Sequence, residues 1–260
     1  MINLEDQIGL NIQLKENSRL EFGEDVEFDQ FSVRKLSDLS VVTADENLKL
    51  SDEPAYLMYR NVRKKGDLEK INAAHLRFDL TVIPSAKIGD EHIKTSGHYH
   101  PKKPGTSVSY PELYYVISGQ ATYLSQKSNG ARIEDVILSR VKAGSAIITP
   151  PGYGHVTINE LDQPIVMANW VCGDFKSEYG DYEEKRGACY YLEANNDKLI
   201  KNTRYGEVPK EKVLKSDPKL QGEMAGVPVY NYIKNIEKLS FLSSPEEHVN
   251  DLKIESLFEA

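Results

Sequence analysis

The 260-residue chain is 40% hydrophobic, 28% charged and 9% aromatic, a composition suited to a folded domain with a substantial core. No apolar run approaches the roughly 20 residues of a membrane-spanning helix, and a net charge of −8 excludes the broad basic surface of a non-specific nucleic-acid binder. The two cysteines, Cys172 and Cys189, are too few for a disulfide framework, and the start Met-Ile-Asn-Leu-Glu-Asp-Gln lacks the pattern of an export signal, so a cytoplasmic location is expected.

Residues 1–55 are polar, acidic and weakly periodic, and are expected as an N-terminal extension packed on a core. A short helix is expected near 62–73, weakened by Gly66. From Ala74 the chain alternates: Leu76, Phe78, Leu80 and Val82 fall on one face, Arg77, Asp79 and Thr81 on the other, which is the period of a strand. Strand-like runs follow at 113–117, 121–126, 133–138, 145–149, 155–158 and 164–171, separated by turn residues such as Gly119, Ser128-Asn129-Gly130 and Ala143-Gly144. Many short strands at this spacing indicate a sandwich or barrel, taken here as residues 56–200. Residues 201–260 form a C-terminal extension, with a lysine-rich stretch (Lys210, Lys212, Lys215, Lys219), a strand expected at Val227–Tyr232, and a terminal helix capped by Ser244 with Pro245 at its first position.

The segment with most chemical content is Thr95-Ser96-Gly97-His98-Tyr99-His100. Residues two apart on an extended strand share a face, so His98 and His100 can aim both imidazoles at one point. Neutral imidazole suits zinc, iron, nickel and copper, and manganese when a carboxylate joins it. Glu112 opens the apolar run Leu113–Ile117 after a loop holding Pro101, Pro104, Gly105 and Pro111, which returns a carboxylate toward the histidines. Further on, Gly144, Pro150, Gly152, His155 and Asn159 place a histidine just after a Pro/Gly turn.

These positions read G-x5-P-x-G-x2-H-x3-N, and the pattern resembles the second cupin motif with every fixed position filled. His98, His100, Glu112 and Gly119 resemble the first motif, with an enlarged loop between His100 and Glu112 and with His92 where a glycine is usual. A longer loop is tolerable because closure entropy grows slowly with length. Within the cupins, Met58-Tyr59-Arg60, Leu80–Pro84, Lys94–His100, Tyr114-Tyr115-Val116 and the second motif are similar to the archaeal-type glucose-6-phosphate isomerase family. The similarity spans about Tyr56 to Gly180.

The resemblance implies a mainly β fold, the double-stranded β-helix or jelly-roll-like barrel, with peripheral extensions and a few short helices. It implies that His98, His100, Glu112 and His155 hold one divalent metal per subunit, iron first among iron, manganese, nickel and zinc. It further implies that Thr81, Thr95, Gly97 and Tyr179 contact a phosphorylated hexose, and that the chain pairs as a homodimer. The expected activity is metal-dependent interconversion of glucose 6-phosphate and fructose 6-phosphate, with Glu112 as the catalytic base if a proton is moved. The alternatives are an iron-dependent cupin oxygenase, since three histidines and a carboxylate also suit oxygen chemistry, and a sugar-binding cupin without turnover.

Overall fold

The computed structural model describes residues 1–216 and 226–259, so Lys219 lies outside the described residues. Strands dominate because alternating sequence can bury one face and still satisfy every backbone group in a ladder. They form two six-stranded sheets. The first runs, in order, Lys212–Val213, Ile133–Lys142, Gln120–Ser128, Tyr153–Asn159, Glu91–Lys94 and Lys87–Ile88; the second runs Ala146–Thr149, Glu112–Ser118, Ile165–Cys172, Leu76–Ile83, Pro54–Arg60 and Gln30–Lys35. From Leu76 to Cys172 the chain passes repeatedly from one sheet to the other, which is the winding of a double-stranded β-helix. All these pairings are antiparallel except Lys212–Val213, which lies parallel to Ile133–Lys142.

Alternation has an unusual meaning in the second sheet. Arg77, Thr81, Asn169, Glu112 and Tyr114 line the interior cavity, whereas Phe78, Trp170, Leu113 and Tyr115, each next to one of them in sequence, lie on the opposite face. The terminal segments cover that face. Phe78 and Trp170 pack at 4.8 Å between ring centres, and Tyr230 stacks on Trp170 at 5.9 Å. Trp170 Nε1 donates to the Val229 carbonyl at 3.0 Å, and the Tyr115 hydroxyl donates to Gln7 at 3.1 Å. Each large apolar side chain so buried contributes roughly 1.5–3 kcal/mol.

Three local expectations change. The helix near 62–73 is confined to Leu68–Ala73, because Gly66 turns the chain at φ +94° and Arg63–Lys64 pairs as a short strand with Val26–Glu27. Val227–Tyr232 is not a strand: Val229–Leu239 is 3-10 helix with Val229, Tyr230 and Ile233 buried, and Tyr230 stacks on Trp170. β-branched and aromatic residues there read as strand, but tertiary packing decided the conformation. The helix expected from Ser244 is a single 3-10 turn, Pro245–Glu247, followed by a short helix at Ile254–Leu257, and Ser244 makes no cap bond. Lys103 takes the Ser244 hydroxyl at 3.4 Å and Glu246 at 2.5 Å instead. Gln30–Lys35, from the segment expected at the periphery, extends the second sheet by pairing with Pro54–Arg60. None of the helices among the described residues is long and apolar enough to cross a membrane.

Candidate metal centre

Past Glu91–Lys94 the chain leaves regular strand, yet His98 and His155 still pair across an antiparallel bridge, His98 N–H to the His155 carbonyl at 3.2 Å and the reverse at 3.0 Å. Gly97 permits this close approach. Its φ is +78°, and a Cβ there would stand 2.5 Å from the Tyr182 ring and 2.7 Å from Val156. Glu112 is the first residue of its strand and His155 lies inside Tyr153–Asn159, so two fixed ladders and one bridge hold three of the four groups.

The four side chains converge. One ligand atom from each of His98, His100, Glu112 and His155 lies within 4.8 Å of the others. His98 Nε2 and His100 Nε2 are 3.1 Å apart, and Glu112 Oε2 is 3.3 Å from both His100 Nε2 and His155 Nε2. Metal bonds of about 2.1 Å place adjacent ligand atoms about 3.0–3.4 Å apart in octahedral or tetrahedral geometry. His100 Nδ1 lies 3.0 Å from the Tyr110 carbonyl; a carbonyl only accepts, so Nδ1 carries the proton and Nε2 presents its lone pair inward. The Tyr114 hydroxyl is 2.9 Å from His155 Nε2.

Glu112 Oε2 and His155 Nδ1 are buried without a hydrogen bond. A buried carboxylate oxygen left without a donor is costly, and a cation relieves it, so the donor set fits a divalent metal. Burial pushes the Glu112 carboxyl upward, but the close approach of His100 and His155 outweighs it and holds it well below the usual carboxylate range. Burial, then the neighbouring His155 and His100 rings, holds His98 well below the ordinary imidazole value, although part of its surface opens to the pocket. Burial lowers His155 as well, so His98 and His155 favour neutral imidazole beside the carboxylate, the charge state that metal binding needs.

The cavity over these groups is lined by Thr81, Thr95, Gly97 and Tyr179 as well, so the structure brings all the residues singled out in the sequence to one place. The Tyr179 ring lies 5.4 Å from that of His98. Thr95 Oγ1 accepts from Thr157 N–H at 3.0 Å and keeps its own proton to donate. Phe175 packs on His100 at 4.5 Å and stacks on Tyr110 at 4.8 Å. Lys94 is buried against Glu91 with its ammonium 4.8 Å over Tyr191.

Sequence reasoning gave no role to Arg60, Arg77, Asn169 or Phe175, which also line the cavity. The signal for Arg77 was present in the polar face Arg77-Asp79-Thr81. That face points inward, and alternation alone does not say which face is inside.

A barrel of two antiparallel sheets gathering three imidazoles and one carboxylate inside it defines a cupin with a metal-ligand constellation. The family profile described as Glucose-6-phosphate isomerase (GPI) matches residues 33–209. The glucose-6-phosphate isomerase of Thermococcus litoralis is 28% identical over 178 residues, 66% of this chain and 85% of that protein. That of Thermococcus kodakarensis is 30% identical over 182 residues, covering 67% and 87%. Among solved structures, oxalate decarboxylase from Bacillus subtilis at pH 4.6 overlaps 47% of this chain and 27% of its own, at 18% identity and a TM-score of 0.34. The chain belongs to the glucose-6-phosphate isomerase family, in its archaeal-type cupin form, and is an isomerase.

Proposed function

We propose that the chain interconverts glucose 6-phosphate and fructose 6-phosphate at a divalent-metal centre held by His98, His100, Glu112 and His155. The observation that carries this reading is the convergence of those four groups within 4.8 Å, in a cavity that also presents Thr81, Thr95, Gly97 and Tyr179. When bound, the metal supplies Lewis-acid polarisation of the sugar oxygens at C1 and C2.

The protein groups do the rest. Thr95 donates its free hydroxyl proton, and Thr81 its own, to the phosphate oxygens, while the Gly97 backbone lines the same cavity. Tyr179 covers the sugar next to His98. Glu112 is the only carboxylate lining the cavity among the described residues, and it is ionised. It therefore accepts the proton leaving C2 of the aldose and returns it to C1, as the proton of the C2 hydroxyl passes to the C1 oxygen, with the reverse sequence for the ketose. Phe175, Met58 and Met167 keep bulk water from that proton.

The test is a coupled isomerase assay on chelator-treated protein and on the same protein restored separately with iron, manganese, nickel and zinc. Restored activity in both directions is expected, together with loss in His155→Ala that added metal does not recover. Full activity in the stripped protein overturns the metal reading. Oxygen uptake with a small organic substrate and no isomerisation overturns the isomerase reading.

A further inference from the structure

His92 stands where the first cupin motif usually has a glycine, and the reaction above makes no use of it. The residue is buried, at 7% exposure. Strand register brings a carboxylate level with it: Ile93 is opposite Asn159 across an antiparallel pair, so His92 and Glu160 come opposite each other at the next position, where side chains share a face. A second carboxylate arrives from the hairpin of Tyr190–Leu192 and Leu199–Lys201. That hairpin is seated beside His92 by the bridge between Glu91 and Glu193 and by Ala194 N–H donating to the Asp90 carbonyl at 2.7 Å. Its turn places Asp197 Oδ1 2.9 Å from His92 Nε2.

One ligand atom from each of His92, Glu160 and Asp197 lies within 4.8 Å of the others. Bonds of about 2.1 Å put opposite ligands of one ion about 4.2 Å apart, so closing on an ion takes about half an ångström of movement. Nε2 carries at most one proton and serves one carboxylate at a time, whereas an ion between the three groups serves both. Arg140 Nε and Nη2 donate to Glu160 at 3.0 and 3.1 Å, and the Thr122 hydroxyl donates to the same carboxylate. Arg140 thus balances the charge of Glu160 and leaves that of Asp197 over. The Asp197 side chain is 63% exposed, so water can complete a coordination shell from the open side.

We propose that His92, Glu160 and Asp197 form a second metal-binding site, outside the barrel cavity, that takes one divalent ion such as zinc or manganese. One imidazole and two carboxylates suit these ions. The ion acts as a staple. It ties the hairpin that carries Asp197 to the strand that runs on to His98 and His100, on which the hairpin already lays Tyr191 over Lys94. Arg140 competes with the ion for Glu160, so this site is the weaker of the two. It stands apart from the isomerase reading, because none of its three residues lines the cavity.

The test counts bound metal by elemental analysis after chelator-treated protein is dialysed against zinc or manganese at free concentrations up to about 0.1 mM. The wild type is expected to bind two ions per chain. His155→Ala should lose the first and keep the second. His92→Gln and Asp197→Asn should weaken the second about tenfold or more, while keeping the first ion and the isomerase activity. Arg140→Gln frees Glu160 and should tighten the second site about threefold. A wild type that stops at one ion, with none left in His155→Ala, overturns the proposal. So does a second ion that Asp197→Asn binds as well as the wild type, since that ion lies elsewhere. A single ion that survives His155→Ala and is lost in Asp197→Asn keeps this site and removes the first centre. If His92→Gln does not fold, Asp197→Asn decides, because that side chain is exposed.

Discussion

Removing the metal should destabilise the fold by an amount that can be estimated from the centre itself. Glu112 Oε2 is buried without a hydrogen bond, and the His100 and His155 Nε2 atoms lie 3.3 Å from it. A cation that binds only the folded state stabilises it by about 2.7 kcal/mol when present at a hundred times its dissociation constant. For a chain of this size each kcal/mol moves Tm by about 2–4 °C, so restoring metal should raise Tm by about 5–10 °C. The assay is thermal unfolding of chelator-treated protein titrated anaerobically with iron, manganese, nickel and zinc. Glu112→Gln keeps the shape but removes the one negative charge among the four donors, and should lose most of the shift. His155→Ala should lose it too. The reasoning fails if all four metals move wild-type Tm by less than about 1 °C, or if the two variants shift as far as the wild type.

Gly97→Ala combines a φ of +78° with a Cβ 2.5 Å from Tyr182, and should cost about 2–5 kcal/mol from left-handed strain and overpacking together; a urea melt within about 1 kcal/mol of wild type contradicts that placement of Gly97. Phe175→Ala removes the ring that packs on His100 and Tyr110, and should lower metal affinity about tenfold or more while the fold persists; unaltered affinity by competition titration would show that His100 needs no such support. Burial pushes the Cys189 thiol up from 9.0 to about 12. The thiolate forms only as pH rises toward that value, so alkylation of folded Cys189 near pH 8 should be roughly a thousandfold slower than for an unshifted thiol, and a rate near that of the unfolded chain refutes it.

Legibility followed the physics of each segment. Most strands from Leu76 to Cys172 could be read because alternation and turn residues coincide along them, and observed bounds such as Gln120–Ser128 and Ile165–Cys172 differ from expectation mainly at the ends; the short Lys87–Ile88 and Glu91–Lys94 were missed. Gln30–Lys35 could not, since this sheet-edge strand has no buried residue and so no apolar stripe to announce it. The four converging groups were visible through motif spacing, which reports how the local chain must run. Arg60, Arg77 and Asn169 were hidden because their places on the cavity wall depend on which face of the second sheet turns inward. That is decided by distant residues, Tyr230 and Val229 covering Trp170 and Gln7 meeting Tyr115, whose contacts leave no trace near the arginines.

The enlarged loop between His100 and Glu112 is the feature in which this chain departs most from the first cupin motif, and its hydrogen bonds explain why the departure is tolerable. Tyr110 N–H returns to the Pro101 carbonyl at 3.2 Å, Lys103 N–H to the Val108 carbonyl at 2.9 Å, and Lys102 bridges to Ser109. The extra residues are therefore closed on themselves as a hairpin-like excursion, and the two ends that matter remain adjacent. The loop also serves the centre directly: the Tyr110 carbonyl fixes the tautomer of His100, and Ser109 Oγ accepts the Gly152 N–H at 2.6 Å. Gly152 belongs to the Pro/Gly turn that precedes His155. The same excursion thus ties the first motif to the second, and the C-terminal turn pins it from outside through Lys103 and Glu246. Its length places a carbonyl behind one ligand and a hydroxyl on the turn that delivers another.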